Sequence, residues 1–125
     1  MRHDRHYTLD EARAALPWVV ETLRVMRAAR ERLTDTEAHE ALHGGAPTNG
    51  GGAPGKQVGE AFVALRAAAA AFDARGIVLR DLDRGLIDFP AVRDGREVYL
   101  CWLEDEDDIG FWHDLDAGYP GRQEL

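Results

Sequence analysis

The chain has one cysteine, Cys101, among 125 residues. A lone thiol excludes an intrachain disulfide and a CxxC-type metal or redox site. Long apolar runs are missing too: none approaches the roughly 20 residues needed to span a bilayer, and the N-terminal MRHDRHYTLDEAR is too polar for the core of a signal peptide. Positive charge is short, with 15 Lys and Arg against 23 Asp and Glu, which leaves a formal charge of -8 with the five histidines neutral. That deficit argues against nucleic acid, whose phosphates need a basic surface, and against an anionic membrane. Together the absences point to a cytoplasmic protein. What is present, 45% hydrophobic and 30% charged residues over a length that supports a single core, is the composition of one soluble globular domain.

Thr8 and Glu11 have the spacing of a capping box, so a helix is expected from about residue 8. Leu9, Ala12, Leu16, Val19, Leu23, Met26 and Leu33 then recur at threes and fours, one buried stripe. Pro17 inside that stripe lacks a donor N–H and should kink or restart the helix. Thr34 and Glu37 repeat the capping pattern and Gly44 and Gly45 stop it, so residues 35 to 43 are either a separate short helix or the end of the long one. Residues 44–55, GGAPTNGGGAPG, have no apolar period and read as a flexible linker. They are not a phosphate-binding loop, because Lys56 is followed by Gln57 and no strand precedes it. A second helix over about 56–75 carries Val58, Phe62, Leu65, Ala69 and Phe72 on one stripe and ends at Gly76. The two helices should pack as an antiparallel pair.

The period then changes from helix to strand. Ile77 to Leu82 and Leu86 to Arg93 read as strands around the turn Asp83-Arg84-Gly85, and Asp94-Gly95 is a two-residue hairpin signal leading into a third strand, Arg96 to Leu103. Folding about that turn pairs Ala91 with Val98, Phe89 with Leu100 and Ile87 with Trp102 on a core face. The other face pairs Asp88 with Cys101, Pro90 with Tyr99 and Val92 with Glu97, and either stays wet or receives the C-terminal segment. Residues 104–125, rich in aromatics and glycines, should wrap back over the sheet. The expected fold is thus α+β: a single domain with a long helix pair, a three-stranded antiparallel meander over about 77–103 and an aromatic C-terminal wrap.

Three segments, YTLDEARAALP, GIVLRDLDRGLIDFPAVRDGREVYLCW and WHDLDAGYPGRQ, together resemble the DUF2203 family of small uncharacterised bacterial proteins. The resemblance implies a shared fold and a bacterial source, and it brings no activity with it, since none is established for the family. One departure is visible. Where such proteins usually carry a Gly-Glu step after the CW strand, this chain has the acidic run EDEDD.

Two constellations carry chemistry. His39-Glu40-Ala41-Leu42-His43 spells HExxH, in which His39 and His43 on one helical face can grip a zinc ion and Glu40 can act as general base towards a metal-bound water. Its context is poor: the motif runs into the Gly-rich linker, and Ala46 and Asn49 stand where an extended metzincin pattern wants Gly and His. The second is a C-terminal cluster of Trp112, His113, Asp114, Asp116 and Arg122, with Arg93, Glu97 and Tyr99 near it on the outer sheet face. An imidazole among carboxylates can carry a proton or help hold a cation. A bland alternative has Trp112 plugging the core, His113 capping a turn and Arg122 pairing an acid. His3 and His6 read as part of a polar tail, and Cys101 as a small half-buried residue without a nearby histidine in sequence.

The leading expectation is a non-catalytic binding or interaction module that uses the sheet and C-terminal surface and needs no cofactor. Its rival is a zinc-binding protein or zinc-dependent metallopeptidase built on His39, His43 and Glu40. Homodimerisation through the helices is expected from their apolar edges. From Glu97 to Gly121 there are eight acids and no Lys or Arg, so the excess charge belongs to this stretch, and a charged partner there should be a cation or a basic protein.

Overall fold

The computed structural model describes residues 1–42 and 53–125, with side chains described for 1–35 and 55–125. In chain order the elements are helix α1 (Leu9–Leu42), helix α2 (Ala53–Arg75), and strands β1 (Val78–Asp81), β2 (Leu86–Arg93), β3 (Arg96–Leu103), β4 (Phe111–Asp114) and β5 (Gln123–Glu124). A single 3-10 turn over Tyr119–Gly121 precedes β5. The architecture is α+β, a helix pair packed on one face of a five-stranded antiparallel sheet of order β1-β2-β3-β4-β5.

Helix α1 starts on the capping box that the sequence predicts: the Glu11 N–H donates to Thr8 Oγ1 at 3.1 Å and the Thr8 N–H to Glu11 Oε1 at 2.9 Å. It then runs through Pro17 as one helix, so of the two expected outcomes, a kink or a restart, the restart is excluded. Val19 and Leu23 are fully buried just beyond the proline, and Tyr7 and Ala12 are buried just before it. Burial on both sides holds the helix together across one missing hydrogen bond. Thr34 is no second cap, since its hydroxyl donates back to the Arg30 carbonyl at 3.1 Å inside the helix. Helix α2 begins at Ala53, three residues before the expected start, because a proline such as Pro54 is tolerated in a first turn. The rest of the predicted linker, residues 44–52, lies outside the described residues. Trp18 meets Phe72 edge-on across the helix pair, with ring centroids 5.0 Å apart. Val20, Phe62 and Val63 stay exposed on the helices.

The β2–β3 hairpin has the predicted register residue for residue, including Ile87 opposite Trp102, Phe89 opposite Leu100 and Asp88 opposite Cys101. Asp94 and Gly95 both have positive φ, 53° and 76°, the geometry of a type I′ turn. Ile87, Phe89, Ala91, Val98, Leu100 and Trp102 share one core with the helix stripe. The C-terminal segment departs from the expected wrap. It adds β4 beside β3 and β5 beside β4, so the sheet has five strands and not three. The physical reason is that β3 presents an open row of backbone donors and acceptors, and Phe111 to Asp114 satisfies them by pairing edge to edge.

The N-terminus also departs from expectation. The predicted polar tail is docked: past the end of β1, the Pro90 carbonyl on β2 accepts from the Tyr7 N–H at 2.7 Å, and the Tyr7 hydroxyl donates to the Arg75 carbonyl at 2.6 Å. The residues before Tyr7 reach the outer face of the sheet, the face away from the helices.

Candidate functional site

Side chains alternate along a strand, so the partners of the core residues fall on the outer face. There β2 contributes Asp88, β3 contributes Glu97, Tyr99 and Cys101, and β4 contributes His113, the cross-strand partner of Tyr99. All five are buried, with Asp88 2%, Cys101 0% and His113 1% exposed. A mixed sheet face expected either to stay wet or to receive the C-terminal segment is therefore a second, polar interior.

Its centre is His113. The ring reaches across β3, over the small Cys101 side chain, and Nε2 lies 3.0 Å from Asp88 Oδ1. Nδ1 lies 2.7 Å from the Asp114 carbonyl, which can only accept, so Nδ1 carries a hydrogen. Nε2 therefore faces a carboxylate oxygen with one proton to be held between them. The other Asp88 oxygen accepts from Arg80 Nε at 2.9 Å, and the Arg80 guanidinium also lies over the Tyr99 ring. The ligand atoms of Asp88, Cys101 and His113 all lie within 4.8 Å of one another. Burial, and then the adjacent Asp88 carboxylate, push the Cys101 thiol up to about 12, so at neutral pH it is a protonated thiol and a poor nucleophile. A cavity of about 270 Å³ opens beside this group, walled by Arg80, Asp88, Cys101, His113, Asp116 and Tyr119.

The docked N-terminus closes the neighbouring part of the face. His6 Nε2 lies 2.6 Å from Glu97 Oε2, the backbone N–H groups of Arg2 and His3 donate to the same carboxylate at 2.7 and 3.0 Å, and the His3 ring hydrogen-bonds the Tyr99 hydroxyl. Removal from water alone would raise the Glu97 carboxyl. The hydrogen bonds from His6, His3 and Arg2 overcome this and hold it down at about 2.

The residues predicted as a binding surface do not all meet. Glu97, Tyr99 and His113 share the outer face, and Asp116 walls the cavity while pairing with Arg2 at 3.2 Å. Trp112 turns to the helix side as part of the core, under the Arg93 guanidinium 4.9 Å from its ring centroid. Asp114 pairs with Arg96. Arg122 is nine-tenths buried, pairs with Glu106 and lies over the Phe111 and Tyr119 rings. His39 and Glu40 fall in the last turns of α1, but their side chains, like all of His43, lie outside the described residues. Six of the eight acids in the stretch are paired in space: Glu97, Glu104, Glu106, Asp108, Asp114 and Asp116 pair with His6, Arg27, Arg122, Arg13, Arg96 and Arg2. Missing from the sequence-based cluster are Asp88, Arg80 and Cys101. The hairpin register already sets Asp88 against Cys101, whereas His113 reaches their face only through the pairing of β4 with β3, for which Phe111-Trp112-His113 shows no alternation.

No curated protein and no solved structure matches the chain. A family model described as "Uncharacterized conserved protein (DUF2203)" matches residues 5–125, nearly its whole length. The chain belongs to the DUF2203 family.

Proposed function

We propose that this protein is a binding module whose site is the outer face of the sheet, with the cavity at His113 and Asp88 receiving a small polar ligand or a cation. One observation carries the reading: an imidazole and a carboxyl group, hydrogen-bonded to each other and almost without exposure, stand at the wall of a cavity that solvent can enter. Folding alone gives little reason for them. A buried ion pair replaced by apolar side chains of similar size is typically neutral or stabilising by about 1–4 kcal/mol, whereas deleting one partner costs about 3–5 kcal/mol. A site kept for binding follows that pattern, because its polar groups are retained at the expense of stability. Arg80, with its side chain 42% exposed, can turn to water when Asp88 is lost.

The test is a urea denaturation series. The single variant His113→Ala should lose about 3 kcal/mol, and the double variant Asp88→Leu/His113→Leu should equal or exceed the parent in stability. A double variant as unstable as the single one would make the cluster a structural element of the fold and remove the reading.

A further inference from the structure

The cluster on the outer face is more specific than a generic polar site, and a ligand assigned to it rests on the reading of that face as the binding surface. Asp88, Cys101 and His113 come from three adjacent strands, β2, β3 and β4, so their backbones are held rigidly by the sheet ladder. His113 offers Nε2 while its Nδ1–H is fixed on a backbone carbonyl, the outer hydrogen bond that orients a metal-bound imidazole. Asp88 offers Oδ1 while Arg80 fixes Oδ2. Cys101 offers a thiol that lies against the Asp88 carboxylate. Tetrahedral zinc, with bonds of about 2.0 Å to nitrogen or oxygen and about 2.3 Å to sulfur, needs its ligand atoms roughly 3.3–3.6 Å apart. His113 Nε2 and Asp88 Oδ1 are 3.0 Å apart and all three ligand atoms lie within 4.8 Å of one another, close to the spacing such an ion needs.

We propose that Asp88 Oδ1, Cys101 Sγ and His113 Nε2 form a binding site for one divalent transition metal ion of the zinc class, with its fourth position facing the cavity. The ligand chemistry fits such an ion: one thiolate, one imidazole and one carboxylate carry two negative charges, and the sulfur selects against magnesium and calcium, which take oxygen ligands. On binding, the ion takes the place of the proton between His113 and Asp88 and of the Cys101 thiol proton, so two protons leave per ion. This site is separate from HEALH, and the single cysteine makes the two easy to tell apart.

The experiment titrates the full chain with Co²⁺, read by absorption, with proton release followed in weak buffer. The expected result is saturation at one Co²⁺ with a thiolate-to-cobalt charge-transfer band, about two protons released, and loss of the band on adding Zn²⁺. Cys101→Ser and Cys101→Ala should abolish the band, and His39→Ala and His43→Ala should leave it unchanged. Absence of the band at saturating Co²⁺, or a band that survives both cysteine variants, overturns the metal assignment. If that happens while the Asp88→Leu/His113→Leu variant keeps its full stability, the metal is wrong and the binding face stands. If the double variant is also destabilised, both fall.

Discussion

Glu97 shows how a single side chain can fasten a distant segment. Its carboxylate accepts from His6 and from two backbone N–H groups of the N-terminal segment, and its folded value of about 2 lies far below the ordinary carboxylate range. A group depressed in this way contributes stability that is fully present above its unfolded pKa, near 4.3, and lost as pH falls from there towards 2. Other charges nearby are the Arg2–Asp116 pair, and Tyr99 is held by His3. Glu97→Gln should therefore flatten the acid limb: between about pH 5 and pH 2.5 its urea midpoint should decline less than the parent's. Parallel curves for the two proteins would show that Glu97 does not fasten the segment. None of this was legible in sequence, because a terminal HxxH carries no sign of an acceptor some ninety positions away.

Among the elements, the β2–β3 hairpin was legible in full and β4 and β5 were not, for one reason. The Asp94-Gly95 turn fixes the register of two eight-residue strands by itself, so local chemistry determines every pair. Strands of four and two residues offer too few alternations to announce a period, and their place is decided by the open edge of β3. Cys101 illustrates the consequence. It has no histidine near it in sequence, yet strand pairing brings His113 to within 4.8 Å. The continuity of α1 through Pro17 belongs here as well, since the sequence alone left a kink and a restart equally open. For the turn, Gly95 at φ 76° has no heavy atom within 4 Å of the position a Cβ would take, so a side chain there meets backbone strain and not a clash. Gly95→Ala should cost about 1–2 kcal/mol in urea denaturation, the usual left-handed penalty for a residue with a Cβ. An unchanged midpoint would mean that the turn relaxes to another type.

For the molecule as a whole, the arginines join its layers. Arg27 of α1 donates through Nε and Nη2 to the Leu82 carbonyl at 3.1 and 2.7 Å and pairs with Glu104 at 2.7 Å, tying the helix layer to both ends of the β2–β3 hairpin's open side. Arg13 reaches Asp108 and Arg30 reaches Asp83 in the same way. A guanidinium fork can serve a carbonyl and a carboxylate together, and an ammonium cannot do so in the same geometry. Arg27→Lys should therefore lower stability by about 1–2 kcal/mol despite keeping the charge, measurable as a shifted urea midpoint at constant slope. Equal midpoints would reduce the contact to simple charge attraction. At this scale the charge arithmetic was legible and its placement was not: the acidic stretch stands out in sequence, while its partners come from α1, the N-terminus, β3 and the residue before β5.

The arginine-closed acids have a consequence for covalent chemistry. The sequence holds fourteen arginines and one lysine, Lys56, which takes part in none of the ion pairs described above. Acetylation or any other acylation of an ε-amine neutralises lysine and leaves guanidinium untouched. The ties between helix layer, sheet and N-terminus are thus beyond the reach of lysine acylation, and an amine-directed label placed on Lys56 leaves every one of them intact.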